Sequence, residues 1–134
     1  MAQENVEIVR KVNELAAAGD WEAVFDWYAP DIEFRDLQPA PDVPELVRGI
    51  EAVRRVVANW TEVYVEFGPH VYEYIDAHPW VVCDTLWKGT IKNSGLVVEF
   101  HGADAVEVQQ GKLLRITTGY ADVPAALKAV GLEE

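Results

Sequence analysis

Apolar residues recur at helical spacing from the start of the chain. Val6, Ile8–Val9, Val12, Leu15 and Ala16 mark one face of a first helix, which Gly19 stops. Asp20 caps a second, shorter helix carrying Trp21, Val24, Phe25 and Tyr28, and Pro30 ends it. Ile32 and Phe34 alternate with Glu33 and Arg35, the pattern of a short strand with one face buried. Leu37 to Pro44, rich in Pro and Asp, reads as a loop. A third helix is predicted from about Gly49, with Ile50, Val53, Val57, Trp60 and Tyr64 in one stripe and Gly68–Pro69 closing it. The remainder reads as strands: His70 to Ile75, Trp80 to Thr90, Leu96 to Gln109 and Lys112 to Tyr120, separated by turn signals at Asp76–Pro79, Asn93–Gly95 and Gln110–Gly111. Pro124 to Val130 is a short final helix. Helices first and antiparallel strands after give an α+β class, with helices on one face of a curved sheet. No repeat or linker divides the chain, so residues 1–134 read as one domain.

Two positions break the alternation. In the long strand, Leu96, Val98, Phe100, Gly102, Asp104, Val106 and Val108 share one face, apolar except for Asp104. In the first strand, Asp36 follows Ile32 and Phe34 on the inner face. A carboxyl among apolar neighbours must be hydrogen-bonded, paired or protonated, and its pKa should rise. The plainer readings are a turn or cap role for Asp36 and, for Asp104, a β-bulge near Gly102 that turns it to solvent. The functional reading is a pocket holding two carboxyls. The opposite face of the long strand carries Val97, Glu99, His101, Ala103, Ala105 and Glu107. It is too apolar for free solvation and predicts a homodimer through this face, with His101 at the surface or the interface. His70 and His78 flank turns and read as solvated. The directions of Asp84 and Trp87 stay open, because their strand is apolar on both faces.

Charge narrows the partners. Eleven basic against 23 acidic residues give a net charge of −12, which repels nucleic-acid phosphates and anionic lipids. Cys83 is the only cysteine, so neither an intrachain disulfide nor a paired-cysteine metal site is available. Met1 to Arg10 is polar and acidic rather than a secretory leader, and no apolar run reaches membrane length, so the expected compartment is the cytoplasm. Glycine-rich phosphate loops, paired-histidine metal spacings and serine elbows are absent from the sequence, and no cofactor is expected.

The order of elements and the two acids together resemble the ketosteroid-isomerase/SnoaL-like (nuclear-transport-factor-2-like) superfamily. The resemblance runs through Ala18-Gly19-Asp20-Trp21, Tyr28-Ala29-Pro30-Asp31-Ile32-Glu33-Phe34-Arg35-Asp36, Gly49-Ile50-Glu51-Ala52-Val53, Gly102-Ala103-Asp104-Ala105-Val106, Gln110-Gly111-Lys112-Leu113 and Gly119-Tyr120-Ala121-Asp122. It implies a cone-shaped α+β barrel, with N-terminal helices packed on a curved, mostly antiparallel sheet. Asp36 falls where the isomerases keep their general base. Asp104 falls where they keep a protonated acid and where SnoaL-like cyclases keep an acid/base aspartate. Val12 stands where the isomerases place an oxyanion-hole tyrosine. The implied function is cofactor-independent acid/base chemistry on an apolar polyketide-, terpenoid- or steroid-like molecule, with Asp36 and Asp104 catalytic. Trp27, Tyr28, Phe34, Trp60, Tyr64, Phe100 and Tyr120 are the expected walls. The alternative is a non-catalytic small-molecule-binding or dimeric assembly domain of the same fold.

Overall fold

The computed structural model describes residues 2–39 and 44–131; positions 40–43 of the proline-rich loop lie outside the described residues. Helix α1 (Ala2–Ala17) buries Val6, Val9, Val12 and Ala16 along one stripe, as the spacing predicts. Helix α2 (Trp21–Phe25) opens on Asp20, whose side chain accepts from the Ala23 N–H at 3.3 Å. It is shorter than predicted. Tyr28 and Pro30 belong instead to strand β1 (Tyr28–Asp36), and Tyr28 aligns with Leu113 of strand β6 (Lys112–Tyr120). Cross-strand pairing captures this segment sooner than the proline interrupts it.

A three-residue strand, β2 (Leu46–Arg48), pairs with β1, and helix α3 (Ile50–Val63) follows. The helix ends five residues before Gly68, not at Gly68–Pro69. Strand β3 (Tyr64–Ala77) begins at once, and Gly68–Pro69 lies buried inside it, past a register shift against strand β4 (Trp80–Ile91). Gly68 serves close packing rather than a turn: a Cβ there would meet the Ala16 carbonyl and the Ala17 Cα at 3.1 Å, where α1 crosses the strand. Strand β5 (Val97–Gln109) and β6 complete the sheet, and helix α4 (Val123–Ala129) ends the described chain, its N-cap Asp122 accepting from the Ala125 N–H at 2.9 Å.

The barrel expectation is corrected by the topology. The six strands lie in the order β2-β1-β6-β5-β4-β3, so β2 and β3 are edges of an open sheet and do not bond to each other. The sheet is also mixed, because β1 and β6 run parallel while the other neighbours are antiparallel. The physical reason for the opening is the helical layer. Val9 and Val12 of α1 and Val53, Val56 and Val57 of α3 share one buried cluster with Ile32, Val81, Val106 and Leu113, so helices cover the apolar face that a closed barrel would otherwise shield. Burying that continuous apolar face is the main stabilising contribution.

The outer face of the sheet is also partly covered. Ala126 and Leu127 of α4 pack on Val82, Ala103 and Ala105, a second buried cluster. The apolar outer-face positions Ala103 and Ala105 are therefore covered by the chain's own last helix. Val97, 51% exposed, remains of the three residues that motivated a dimer face.

Candidate active site

The wide end of the concave side is unfilled. A cavity of about 530 Å³ lies between α3, the start of β3 and the inner faces of β1, β4, β5 and β6. Its aromatic wall is built around Trp60 of α3, whose ring lies 5.6 Å from Trp87, 5.3 Å from Phe67 and 6.0 Å from Phe34 between centroids. Tyr64 stacks on Phe67 at 4.6 Å, and Phe67 on Trp87 at 5.4 Å. Phe100, 51% exposed, stands at the mouth.

Asp104 supplies the buried polar point. It lies on β5 opposite Cys83 of β4, is 8% exposed and lines the cavity. Trp87 Nε1–H donates to its Oδ2 at 3.0 Å and the Thr118 hydroxyl to its Oδ1 at 2.6 Å. Burial pushes the Asp104 pKa up to about 6, against the opposing pull of the hydrogen bonds from Thr118 and Trp87 and of the Gly119 N–H. The rise has the direction that its apolar strand neighbours predict. The bulge considered as the alternative exists, but on the other strand. Between Ala103 and Ala105 the pairing advances from Tyr120 to Thr117, so the extra residue belongs to β6 and Asp104 stays inside.

Asp36 ends β1 and lines the same cavity. It also fills the capping role that was its plainer reading, since its Oδ1 accepts from the Gln38 N–H at 2.9 Å. In register Asp36 is paired with Thr118, which in turn bonds Asp104. The two carboxyls thus flank one threonine on successive strands, with backbones about 10 Å apart at two strand spacings.

Of the predicted walls, Phe34, Trp60, Tyr64, Phe100 and Tyr120 line the cavity, although Tyr120 also packs with the α4 cluster. Trp27 does not line it and packs instead against the core. Tyr28 lies deeper, at a second hollow of about 40 Å³ behind Phe34, Trp60, Trp87 and Asp104, which line both. Burial pushes the Tyr28 hydroxyl pKa up, and that of the neighbouring Cys83 thiol well up, so both stay protonated near neutral pH. Val12 lines this inner hollow, so the first-helix position carries a methyl surface and no hydroxyl. The open directions resolve by register. Trp87 points inward, while Asp84 aligns with outer-face Ala103 and bonds His101 Nε2 at 2.9 Å.

Sequence reasoning missed Phe67, Thr118 and the role of Trp87. Phe67 was hidden because its segment reads as helix end. Thr118 was alternation-compatible but gave no anomaly, being polar at a strand end. Among the described residues no cluster of His, Cys, Asp and Glu has the arrangement of a metal site. No helix among them is long and apolar enough to cross a membrane.

The fold is shared with solved proteins of low sequence identity. A 22% identical nuclear-transport-factor-2-like protein of Burkholderia thailandensis superposes with a TM-score of 0.75, covering 94% of this chain and 96% of that one. A candidate SnoaL-like polyketide cyclase of Mesorhizobium loti is 23% identical at a TM-score of 0.68, over 85% and 97% of the two chains. A Catenulispora acidiphila protein with a ketosteroid-isomerase-like fold, solved in complex with trimethylamine, is 16% identical at 0.72 over 94% and 93%. No curated protein matches the sequence. The profile of the SnoaL-like domain matches residues 9–116, from α1 through the middle of β6. The chain therefore belongs to the SnoaL-like domain family, within the ketosteroid-isomerase-like and nuclear-transport-factor-2-like group of folds.

Proposed function

We propose that this chain is a cofactor-independent acid/base enzyme acting on an apolar polyketide-, terpenoid- or steroid-like molecule. In this reading Asp104 moves the proton and Asp36 is the second carboxyl. The observation that carries it is a single buried carboxyl on the wall of a 530 Å³ aromatic cavity, with its pKa pushed up to about 6. Proton transfer is most efficient when the catalytic pKa lies near the working pH. Above pH 6 the group starts as a carboxylate and so as a base. That form suits its partners, because Trp87 and the Gly119 N–H can only donate. The carboxylate would take a proton from a carbon beside a carbonyl and return it elsewhere on the substrate, which leaves the balance of atoms unchanged. Isomerisation and cyclisation need no more than such a transfer. In dehydration the returned proton leaves with the hydroxyl as water. In epoxide opening the carboxylate takes its proton from a water that adds to the ring carbon, while the ring oxygen is protonated as its C–O bond breaks. The Mesorhizobium loti relative, a candidate polyketide cyclase, and the trimethylamine held by the Catenulispora acidiphila protein support a cavity for small organic molecules.

Binding without turnover is the second reading, favoured by the engagement of Asp36 in its own turn. Incubation with a panel of polyketide, enone and epoxide substrates, followed by mass spectrometry and deuterium uptake, separates the two. Turnover should fall about 10²–10⁴-fold in Asp104→Asn, the usual cost of losing a positioned acid or base. Ligands that bind and never exchange or react would establish the binding module instead.

A further inference from the structure

We infer that the ligand of this cavity carries a positive charge: an apolar skeleton bearing one ammonium group, held between the aromatic wall and the Asp104 carboxylate. The inference rests on the small-molecule reading above, not on catalysis. Its basis is an uncompensated charge. Among the described residues lining the cavity there are two aspartates, Asp36 and Asp104, and no lysine or arginine. His101, at the rim, is already bonded to Asp84. Three arginines near the wall elements are paired elsewhere: Arg35 with Glu45 at 2.6 Å, Arg54 with Glu22 at 2.6 Å, and Arg115 with Glu107. Arg55, beside Val56 on α3, is exposed and does not line the cavity. The partners of Asp104 are neutral donors, which satisfy its hydrogen bonds and leave its negative charge in place.

The walls have the same preference. Aromatic faces carry negative potential, and Trp60, Phe67 and Trp87 form a continuous aromatic surface on the side of the cavity that also holds Asp104. The low-dielectric surroundings strengthen an attraction that bulk water would weaken. A net charge of −12 adds a field that draws cations and repels anions. A neutral ligand gains burial alone. An anion is opposed by every one of these features.

The test is a matched pair of probes, benzyltrimethylammonium and its uncharged carbon isostere neopentylbenzene. Each is titrated into the whole protein at pH 7.5 by calorimetry and by tryptophan fluorescence, since Trp60 and Trp87 line the cavity. The cation should bind about tenfold tighter or more, a difference of ~1.4 kcal/mol. Asp104→Asn should erase most of that preference, read as the ratio of the two probes' Kd values in the variant against the same ratio in the wild type. Asp36→Asn, at the rim, should reduce it less and guards against an Asp104 variant that does not fold. Equal affinities for the two probes would overturn the inference and leave the small-molecule cavity standing. Failure of both to bind would overturn the inference together with the cavity reading.

Discussion

Asp104 titrates at about 6 in the folded chain against roughly 3.9 for an aspartate in an unfolded one. Between these values the native state holds the proton more firmly than the unfolded state. Its contribution to stability is therefore fully present below about pH 4, is lost as the pH rises through 6, and is flat above. Two pKa units correspond to at most roughly 3 kcal/mol. Asp104→Asn does not titrate, and the Thr118 hydroxyl can rotate to accept from its amide. The variant should gain up to about 3 kcal/mol on the wild type between pH 4 and pH 7. Urea unfolding at the two pH values measures this, and a pH-independent difference would show that the carboxyl is not raised. Trp87→Phe tests the hydrogen bonds. Loss of the Nε1–H donor at 3.0 Å should raise the Asp104 pKa further, by about one unit, because a bond to a charged group contributes ~1.5–3 kcal/mol and water replaces part of it. Carboxyl NMR titration of the variant reads the shift directly, and a downward movement would reverse the assignment of Trp87 as a stabiliser of the carboxylate.

The hairpin of β5 and β6 is the element that fixes the site. Gly102 lies two residues before Asp104, and a Cβ there would come within 2.3 Å of the Tyr120 carbonyl oxygen. Backbone must move to relieve such a contact, and the segment that moves holds both Thr118 and the Gly119 N–H. Gly102→Ala should therefore destabilise the fold by about 1–3 kcal/mol, the usual range for overpacking. It should also weaken probe binding in the cavity, although Gly102 presents no functional group. A variant with native melting temperature and native probe affinity would show that β6 yields without cost. Helix α4 backs this hairpin from outside, so its buried Ala126 and Leu127 support Ala103 and Ala105, the residues on either side of Asp104.

At the scale of the whole molecule, charge should govern encounter. A chain with 23 acidic and 11 basic residues attracts a cationic ligand over a distance set by the Debye length, about 30 Å at 0.01 M salt and 10 Å at 0.1 M. The association rate of benzyltrimethylammonium should fall several-fold over that range, while the dissociation rate changes little. Stopped-flow tryptophan fluorescence separates the two rates. A salt-independent association rate would mean that only local contacts select the charge.

What the sequence determined by itself was the local and the periodic. Spacing and turn signals placed β4, β5 and β6 within a residue, and spacing marked the buried stripe of α1, since each element buries a face whose period is written in its apolar positions. The same period marked Asp36 and Asp104 as acids on an inner face, and both line the cavity. The chain could not fix the boundary of α3 with β3, because Gly68–Pro69 carries a turn signal whose local preference is overridden by pairing to β4 and packing under α1. Nor could it show that Asp104 meets Trp87 and Thr118, 17 and 14 residues away along the chain. Those contacts depend on strand register and on a bulge in β6, which are properties of paired strands. Openness of the sheet was likewise a tertiary decision. Local patterns ask only that an apolar face be covered, and here two helices cover it, where the closure of a barrel would have served the same physical need.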